Sequence, residues 1–161
     1  MVKAIRVHQT GGPEVLAYEE ITLDKPGAGE VLVANKAIGL NYLDTYYRSG
    51  LYPAPQLPFT PGNEGAGEVL AVGPGVRGFA PGDRVAYVSS LGSYAQQRLV
   101  PAAALAKLPA EISFKTAAAM MLKGMTAEYL LHRTYKVKRG DAVLIHAAAG
   151  GTGLILCQWA K

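Results

Sequence analysis

The chain is poor in the residues that define several protein classes. Its single cysteine, Cys157, cannot form an internal disulfide or supply the roughly four ligands of a structural zinc site. No apolar run reaches the roughly 18 residues that a membrane span requires, and the N-terminus lacks the apolar segment of an export signal. Charged residues make up only 17% of the chain, and half of the residues are hydrophobic, which disfavours disorder. The composition therefore predicts a globular protein of the reducing cytoplasm.

Charge and histidine patterns exclude further classes. The net charge is +4, but Lys and Arg form no run and do not alternate with aromatic residues, so nucleic-acid binding is disfavoured. His8, His132 and His146 are the only histidines and lie far apart in sequence, without the spacing of metal ligands. We therefore expect no metal site.

Glycine and proline, with 19 and 10 residues, are plentiful and divide the first hundred residues into short β-rich runs. The first three runs favour an antiparallel meander. The whole set predicts a small β-barrel or sandwich. The runs cover residues 2–8, 15–23, 30–39, 64–73, 83–89, 93–100 and 104–108.

After Pro109 the residue pattern changes from short β-rich runs to helical runs. Ser113 is a candidate N-cap for a helical run over 114–122, and a second run over 126–132 follows the Lys123-Gly124 pair. The unbroken apolar run 142–145 is typical of a strand buried on both faces of a parallel sheet. We therefore predict a first domain over 1–122 and the start of an α/β domain over 123–161.

A glycine-rich turn occupies residues 146–153, between the predicted strand and a helical run. It contains a variant of the G-x-G-x-x-G fingerprint, in which glycines let the backbone approach a pyrophosphate at a helix N-terminus. The residue that separates NAD from NADP would lie about 20 positions further on, beyond Lys161. The residues predicted to bind the cofactor here are Ala148, Gly150, Gly151, Thr152 and Gly153.

Five motifs in this order resemble the medium-chain dehydrogenase/reductase superfamily: GLNYLD at 39–44, PGNEGAGEV at 61–69, VGPGV at 72–76, GDRV at 82–85 and AAAGGTG at 147–153. Residues 41–53 and 123–127 are similar to its zinc-free NADPH:quinone oxidoreductases, the zeta-crystallin-like branch. The resemblance implies a fold that goes from α+β to α/β. A GroES-like, mainly antiparallel β-barrel domain would precede the first β-α unit of a Rossmann domain.

The resemblance also implies a function. Zinc-dependent relatives place a cysteine and a histidine ligand where this chain has Asn41 and Asn63, and Glu64 alone cannot hold zinc. We therefore expect zinc-independent, NADPH-dependent reduction of quinones or related enones by hydride transfer. Family members are longer and are expected to be homodimers, so this chain by itself is expected to be inactive. The alternative is a non-catalytic fragment or binding module with an RNA or protein partner.

Site residues follow from the same resemblance. The catalytic candidates are Asn41, Tyr46 and Tyr52, of which Asn41 and Tyr52 would reach into the substrate cleft. The segment from Tyr42 to Tyr46 would border the nicotinamide half of the cofactor. For each residue, ordinary packing is the alternative. The cofactor-binding candidates outside the glycine turn are Tyr42, Asp44, Tyr46, Thr126 and Tyr129.

Overall fold

The computed structural model describes residues 1–161, which form two compact units, Met1–Ala119 and Met120–Lys161. The first unit is built from strands, and all seven predicted β runs are confirmed. One helix, α1 (Tyr42–Ser49), lies between the third and fourth strands. The strands are β1 (Val2–Val7), β2 (Leu16–Ile21), β3 (Glu30–Ile38), β4 (Glu64–Val72), β5 (Arg84–Val88), β6 (Gln97–Pro101) and β7 (Leu105–Lys107).

The strands form two antiparallel sheets. β1 pairs only with β2, and the other five strands are ordered β6-β3-β4-β5-β7. The predicted meander is therefore wrong beyond the first hairpin, because β3 uses both of its edges to pair with β4 and β6. Isolated bridges between Ala4 and Ala95 and between Val7 and Phe59 connect the hairpin to the rest of the unit.

The core of the first unit lies against one face of the larger sheet. β-branched side chains dominate it, as the period-two pattern of the strands requires. One tyrosine is buried with them, and its hydroxyl donates to Asn35 Oδ1 at 2.7 Å. The core residues are Val31, Val33, Val69, Val85, Tyr87 and Val100.

Helix α2 (Phe114–Tyr129) runs across the boundary between the units and continues as a π turn over Leu130–Thr134. The Ser113 cap is confirmed, because its Oγ accepts a hydrogen bond from the backbone N–H of Thr116 at 3.1 Å. The prediction of two helical runs is wrong: glycine costs about 1 kcal/mol in a helix, and Gly124 does not interrupt this one. The domain boundary after residue 122 falls inside α2 and stays a prediction.

The second unit also contains helix α3 (Gly151–Trp159), which confirms the helical run after the glycine turn. The predicted strand over 142–145 is wrong for this chain: the segment pairs with no other strand, and Leu144 is 82% exposed. A strand needs a neighbour for its backbone hydrogen bonds, and this unit contains none. None of the helices combines the length and the apolar character needed to cross a membrane.

Candidate functional site

The start of helix α1 is held by Asn41 and Asp44. Asn41 is the N-cap residue and forms a capping box with Asp44. The backbone N–H of Asn41 donates to Asp44 Oδ2 at 2.9 Å. A carboxylate at this position satisfies a backbone donor and also interacts favourably with the positive end of the helix dipole. Asp44 is 5% exposed, so its carboxylate belongs to the interior of the unit.

The side chain of Asn41 points to the first residue of β4. Its Nδ2 donates to Glu64 Oε1 at 2.7 Å, and Glu64 is fully buried. A side chain at Gly39 would overlap the Glu64 carboxylate, so the chain packs closely around this pair. Asn63 also uses its amide as a donor, from Nδ2 to the carbonyl of Ser89 at 3.0 Å. Both asparagines are therefore held in fixed orientations by hydrogen bonds.

Tyr94 completes this group of side chains, although no motif in the sequence indicates it. Its hydroxyl donates to Asp44 Oδ2 at 2.9 Å. Burial raises the pKa of the Tyr94 hydroxyl, and the negative charge of Asp44 raises it further. Its ring lies over Gly62, which has a φ of +89° and whose missing side chain leaves room for the ring. Tyr94 is therefore a neutral hydrogen-bond donor at physiological pH.

Three tyrosines cluster at the other end of α1. Gly50 ends the helix in a left-handed conformation, and the chain turns back so that the Tyr52 ring packs 5.3 Å from Tyr46 and 6.0 Å from Tyr47. The backbone N–H of Tyr52 donates to the Tyr46 carbonyl at 3.1 Å. Tyr52 is about half exposed, and neither its hydroxyl nor that of Tyr46 bonds to a protein group. Both hydroxyls are therefore available to a ligand, whereas Tyr42 extends into solvent.

In the second unit, the glycine turn leads directly into helix α3. Gly150 is the N-cap, and its backbone N–H donates to the Ala147 carbonyl at 2.8 Å. A side chain at Gly153 would overlap that same carbonyl, so the turn and the helix can approach this closely only with glycine there. No side chain caps the first turn of α3, and its backbone N–H groups at Gly151 and Thr152 face outward from the helix end. The turn fits a pyrophosphate.

The two candidates on helix α2 differ in their available groups. Thr126 Oγ1 donates to the Leu122 carbonyl at 2.7 Å, so the hydroxyl can only accept a further hydrogen bond. Tyr129 is nearly half exposed, and its hydroxyl has no protein partner. Their contacts with a cofactor stay predictions.

The structure thus brings Asn41 together with Asp44, and Tyr46 together with Tyr52, within the first unit. The five residues of the glycine turn lie together in the second. Asp44 is the candidate whose observed contacts differ most from the expected role, because its Oδ2 receives two protein donors. The sequence signal for this arrangement is the Asn-x-x-Asp spacing of a capping box, but no local pattern indicates Tyr94.

A family model of the alcohol dehydrogenase GroES-like domain matches residues 27–110. The chain belongs to this family of the medium-chain dehydrogenase/reductase superfamily. Sequence similarity to the relatives extends beyond residues 27–110, over the whole of this GroES-like chain. The quinone oxidoreductase of Pseudomonas aeruginosa is 55% identical over 162 residues, which cover 100% of this chain and 50% of the relative. The 2-haloacrylate reductase of a Burkholderia species is 49% identical over 168 residues, covering 100% of this chain and 50% of that protein.

Among solved structures, the quinone oxidoreductase of Escherichia coli complexed with NADPH has a TM-score of 0.95 and 52% sequence identity. That superposition covers 98% of the GroES-like chain and 49% of the E. coli chain. The chain therefore spans about half the length of the relatives it matches, and it aligns with their N-terminal halves. The expected GroES-like, mainly antiparallel domain is confirmed.

Proposed function

We propose that this chain is the N-terminal half of an NADPH-dependent oxidoreductase that reduces quinones or related enones without zinc. Relatives that match the whole chain include quinone oxidoreductases, and one of these has been solved in complex with NADPH. The observation that carries the proposal is the 2.7 Å hydrogen bond from Asn41 to Glu64. By the family resemblance, Asn41 stands where zinc-dependent relatives would have a metal ligand.

The chemistry of these side chains supports zinc independence. Zinc in proteins is bound by thiolate, imidazole and carboxylate groups, and a catalytic site takes about three protein ligands. At Asn41 and Asn63 this chain supplies neutral amides, both of which donate hydrogen bonds from Nδ2. No group of three or more His, Cys, Asp or Glu side chains lies close enough together to hold a metal ion. Glu64 therefore acts as a hydrogen-bond acceptor.

NADPH supplies the hydride when it is bound. The glycine turn would bind its pyrophosphate through backbone N–H groups at the start of α3, where the positive end of the helix dipole favours anions. The candidates for contacting the nicotinamide half are Tyr42 and Tyr46 in the first unit and, separately, Thr126 and Tyr129 in the second. Asp44 contributes indirectly, because its buried carboxylate holds the start of α1.

The substrate needs stabilisation of the oxygen that gains negative charge during hydride transfer. Without a metal, this stabilisation comes from hydrogen-bond donors that are already oriented. The Tyr46 and Tyr52 hydroxyls are free of protein partners and are held by ring packing at 5.3 Å. A phenol donates a hydrogen bond more readily than it gives up its proton at neutral pH, so solvent protonates the product.

Two points concern substrate class and assembly. The 49% sequence identity with a 2-haloacrylate reductase favours electron-poor alkenes as a second substrate class.

A non-catalytic module that binds RNA or protein is not favoured, because the relatives named above are oxidoreductases. We further propose that the complete enzyme is a cytoplasmic homodimer, which rests on the family resemblance and the single cysteine.

A chimeric enzyme tests this function. The chain is fused to the C-terminal half of the P. aeruginosa relative, which matches it at 55% identity in the N-terminal half. The chimera is expected to oxidise NADPH only when a benzoquinone is added, to contain no stoichiometric zinc, and to keep its rate after chelation. The chain without the added half is the control and is expected to be inactive. A rate that depends on bound zinc, or a folded chimera without quinone-dependent NADPH oxidation, would refute the proposal.

A further inference from the structure

We propose that a cavity of the first unit binds a small apolar monocarboxylate, with the guanidinium of Arg98 as its counterion. The cavity lies between the β1–β2 hairpin, the loop before β4 and the residues around the start of β6, and its volume is about 480 Å³. Small-molecule sites typically measure about 300–1,000 Å³. None of the site residues predicted from the sequence lines this cavity.

The wall of the cavity carries positive charge and no negative charge. Arg6 and Arg98 are its charged residues, and no Asp or Glu lines it. Three further polar side chains, Gln56, Thr60 and Gln97, can donate hydrogen bonds. The rest of the wall is mostly apolar, formed by leucine, isoleucine, proline, phenylalanine and alanine residues. A ligand that combines an apolar body with one negative group therefore matches both parts of the wall.

Arg98 is buried without a carboxylate partner. It is only 6% exposed, and its Nη1 donates to the Ser90 carbonyl and to Ser93 Oγ, each at 3.1 Å. Its Nε and Nη2 donate to the carbonyls of Leu99 and Leu91 at 3.3 and 3.4 Å. Burial lowers the pKa of the guanidinium, because loss of water disfavours its charged form, but an arginine stays charged in proteins. Neutral oxygens satisfy its donors and leave its charge uncompensated.

The guanidinium is held at the wall of the cavity. Its Cζ lies 5.1 Å from the centroid of the Tyr87 ring. A Cβ added at Gly92, which lines the cavity, would lie 3.4 Å from Arg98 Cζ and 3.5 Å from Nη2. The hydrogen bond from Nη2 is the longest that Arg98 makes, at 3.4 Å, so this nitrogen can bind a better acceptor. A donor that is already in place favours affinity, because binding does not have to order it.

Arg6 adds a second cation, whose charge is compensated only in part. Its Nη1 donates to Thr60 Oγ1 at 3.3 Å, which orients the guanidinium beside the cavity. Its ion pair, from Nε to Glu19 Oε1, is long at 3.7 Å. The same carboxylate also contacts His8 Nε2 at 3.1 Å, and Glu19 does not line the cavity. The cavity therefore keeps a positive potential.

The chemistry of the wall selects among anions. An anion beside a buried, uncompensated guanidinium recovers part of the Coulomb energy that burial of the charge costs. A carboxylate matches the planar guanidinium in shape and charge. A phosphate dianion would lose more hydration on entering a cavity with mostly apolar walls. We therefore expect a monocarboxylate that carries a ring or a short aliphatic chain, and benzoate is a suitable probe.

Titration with benzoate, followed by NMR of the backbone amides, tests the cavity and the ligand class in the chain itself. Benzoate is expected to shift the amide signals of Gly92, Ala95 and Gln97 saturably, with a Kd of about 1 mM for so small a ligand. Signals of β7, at the opposite edge of the larger sheet from β6, should not move. Benzamide, which has the same shape without the charge, and inorganic phosphate should bind at least about tenfold more weakly.

Three variants that each remove one guanidinium test the role of the arginines. Arg98→Gln is expected to weaken benzoate binding about tenfold or more, and Arg6→Gln about threefold, because Glu19 already compensates part of its charge. The matched control is Arg84→Gln. Arg84 also donates to two backbone carbonyls, both at 2.6 Å, but lies outside the cavity. Its loss should leave the Kd for benzoate within about twofold of the parent, so net charge alone does not explain the other two effects.

The proposal is overturned if benzoate does not bind saturably, if benzamide binds as tightly, or if the shifted signals lie outside the cavity. Parent affinity in both Arg6→Gln and Arg98→Gln, or an equal loss in Arg84→Gln, also overturns it. If Arg98→Gln does not fold, Arg6→Gln and the comparison of benzoate with benzamide decide. A folded chimera that binds no benzoate would show that the added half fills the cavity, which again overturns the proposal. None of these results depends on quinone reduction, so the proposed function can fail separately.

Discussion

Replacement of Tyr46 or Tyr52 by phenylalanine separates a hydrogen-bonding role from a proton-donating role. Each substitution removes one hydroxyl that bonds to no protein group and keeps the ring contact at 5.3 Å. The free energy of unfolding should therefore change by less than about 0.5 kcal/mol. Any larger effect on turnover must then arise from a contact with substrate or cofactor.

The expected loss follows from the worth of one hydrogen bond. Removing a donor to an oxygen that gains charge costs about 0.5 to 2 kcal/mol, which is about two- to thirtyfold in kcat/KM. Removing an obligatory proton donor would cost about a hundredfold or more. The two roles therefore differ by more than the error of a steady-state measurement.

The assay is the steady-state rate of the chimera with one benzoquinone at saturating NADPH. The control is Tyr47→Phe, because the Tyr47 ring also packs on Tyr52, at 6.0 Å, but has no proposed contact with substrate. Tyr46→Phe and Tyr52→Phe should lose activity and Tyr47→Phe should not. A loss beyond a hundredfold would refute the positioning role, and equal rates in all three variants would leave these tyrosines as packing residues.

Three single positions give further predictions. Gly153→Val should weaken NADPH binding to the chimera about tenfold or more, about 1.4 kcal/mol, as measured by nucleotide fluorescence. Gly62→Ala should lower the free energy of unfolding by about 2 kcal/mol or more in urea titrations, because a φ of +89° costs about 1–2 kcal/mol and the Tyr94 ring must also move. A hydrogen bond from Lys107 and a backbone N–H hold the pKa of Asp83 below its ordinary value of 3.8. Asp83 therefore stabilises the fold above that pH and loses this contribution in acid, so Asp83→Asn should reduce the drop in urea midpoint between about pH 5 and about pH 2.

Each of these has a contrary outcome. An unchanged Kd for Gly153→Val would mean that the turn only connects structural elements. Gly75→Ala is the control for Gly62→Ala, because Gly75 has a φ of +76° but no atom within 4 Å of the position that an added Cβ would take; equal losses would exclude a contribution from Tyr94. An Asp83→Asn variant with the parent's full acid sensitivity would show that the exposed pair with Lys107 contributes nothing measurable.

The strands of the first unit were predictable because glycine and proline mark their ends and β-branched residues fill them. The order of pairing was not. Whether β3 joins β2 or lies between β4 and β6 depends on hydrogen bonds between residues such as Val31 and Val100, which are far apart in sequence. Helix α2 also continues through Gly124, because a local cost of about 1 kcal/mol is smaller than the stabilisation that a packed helix provides.

Residue type and short spacing were enough to indicate the β-rich first unit and the glycine turn before α3. Both are local properties of the chain. The inward position of Asp44, the hydrogen bond from the Asn41 amide to Glu64, and the bond from Tyr94 to Asp44 across 50 residues became visible only in the folded chain. Such contacts are set by how distant segments pack together, and no local pattern encodes that packing. The apolar run over 142–145 has the composition of a buried strand, but a strand forms only where a neighbouring strand accepts its hydrogen bonds.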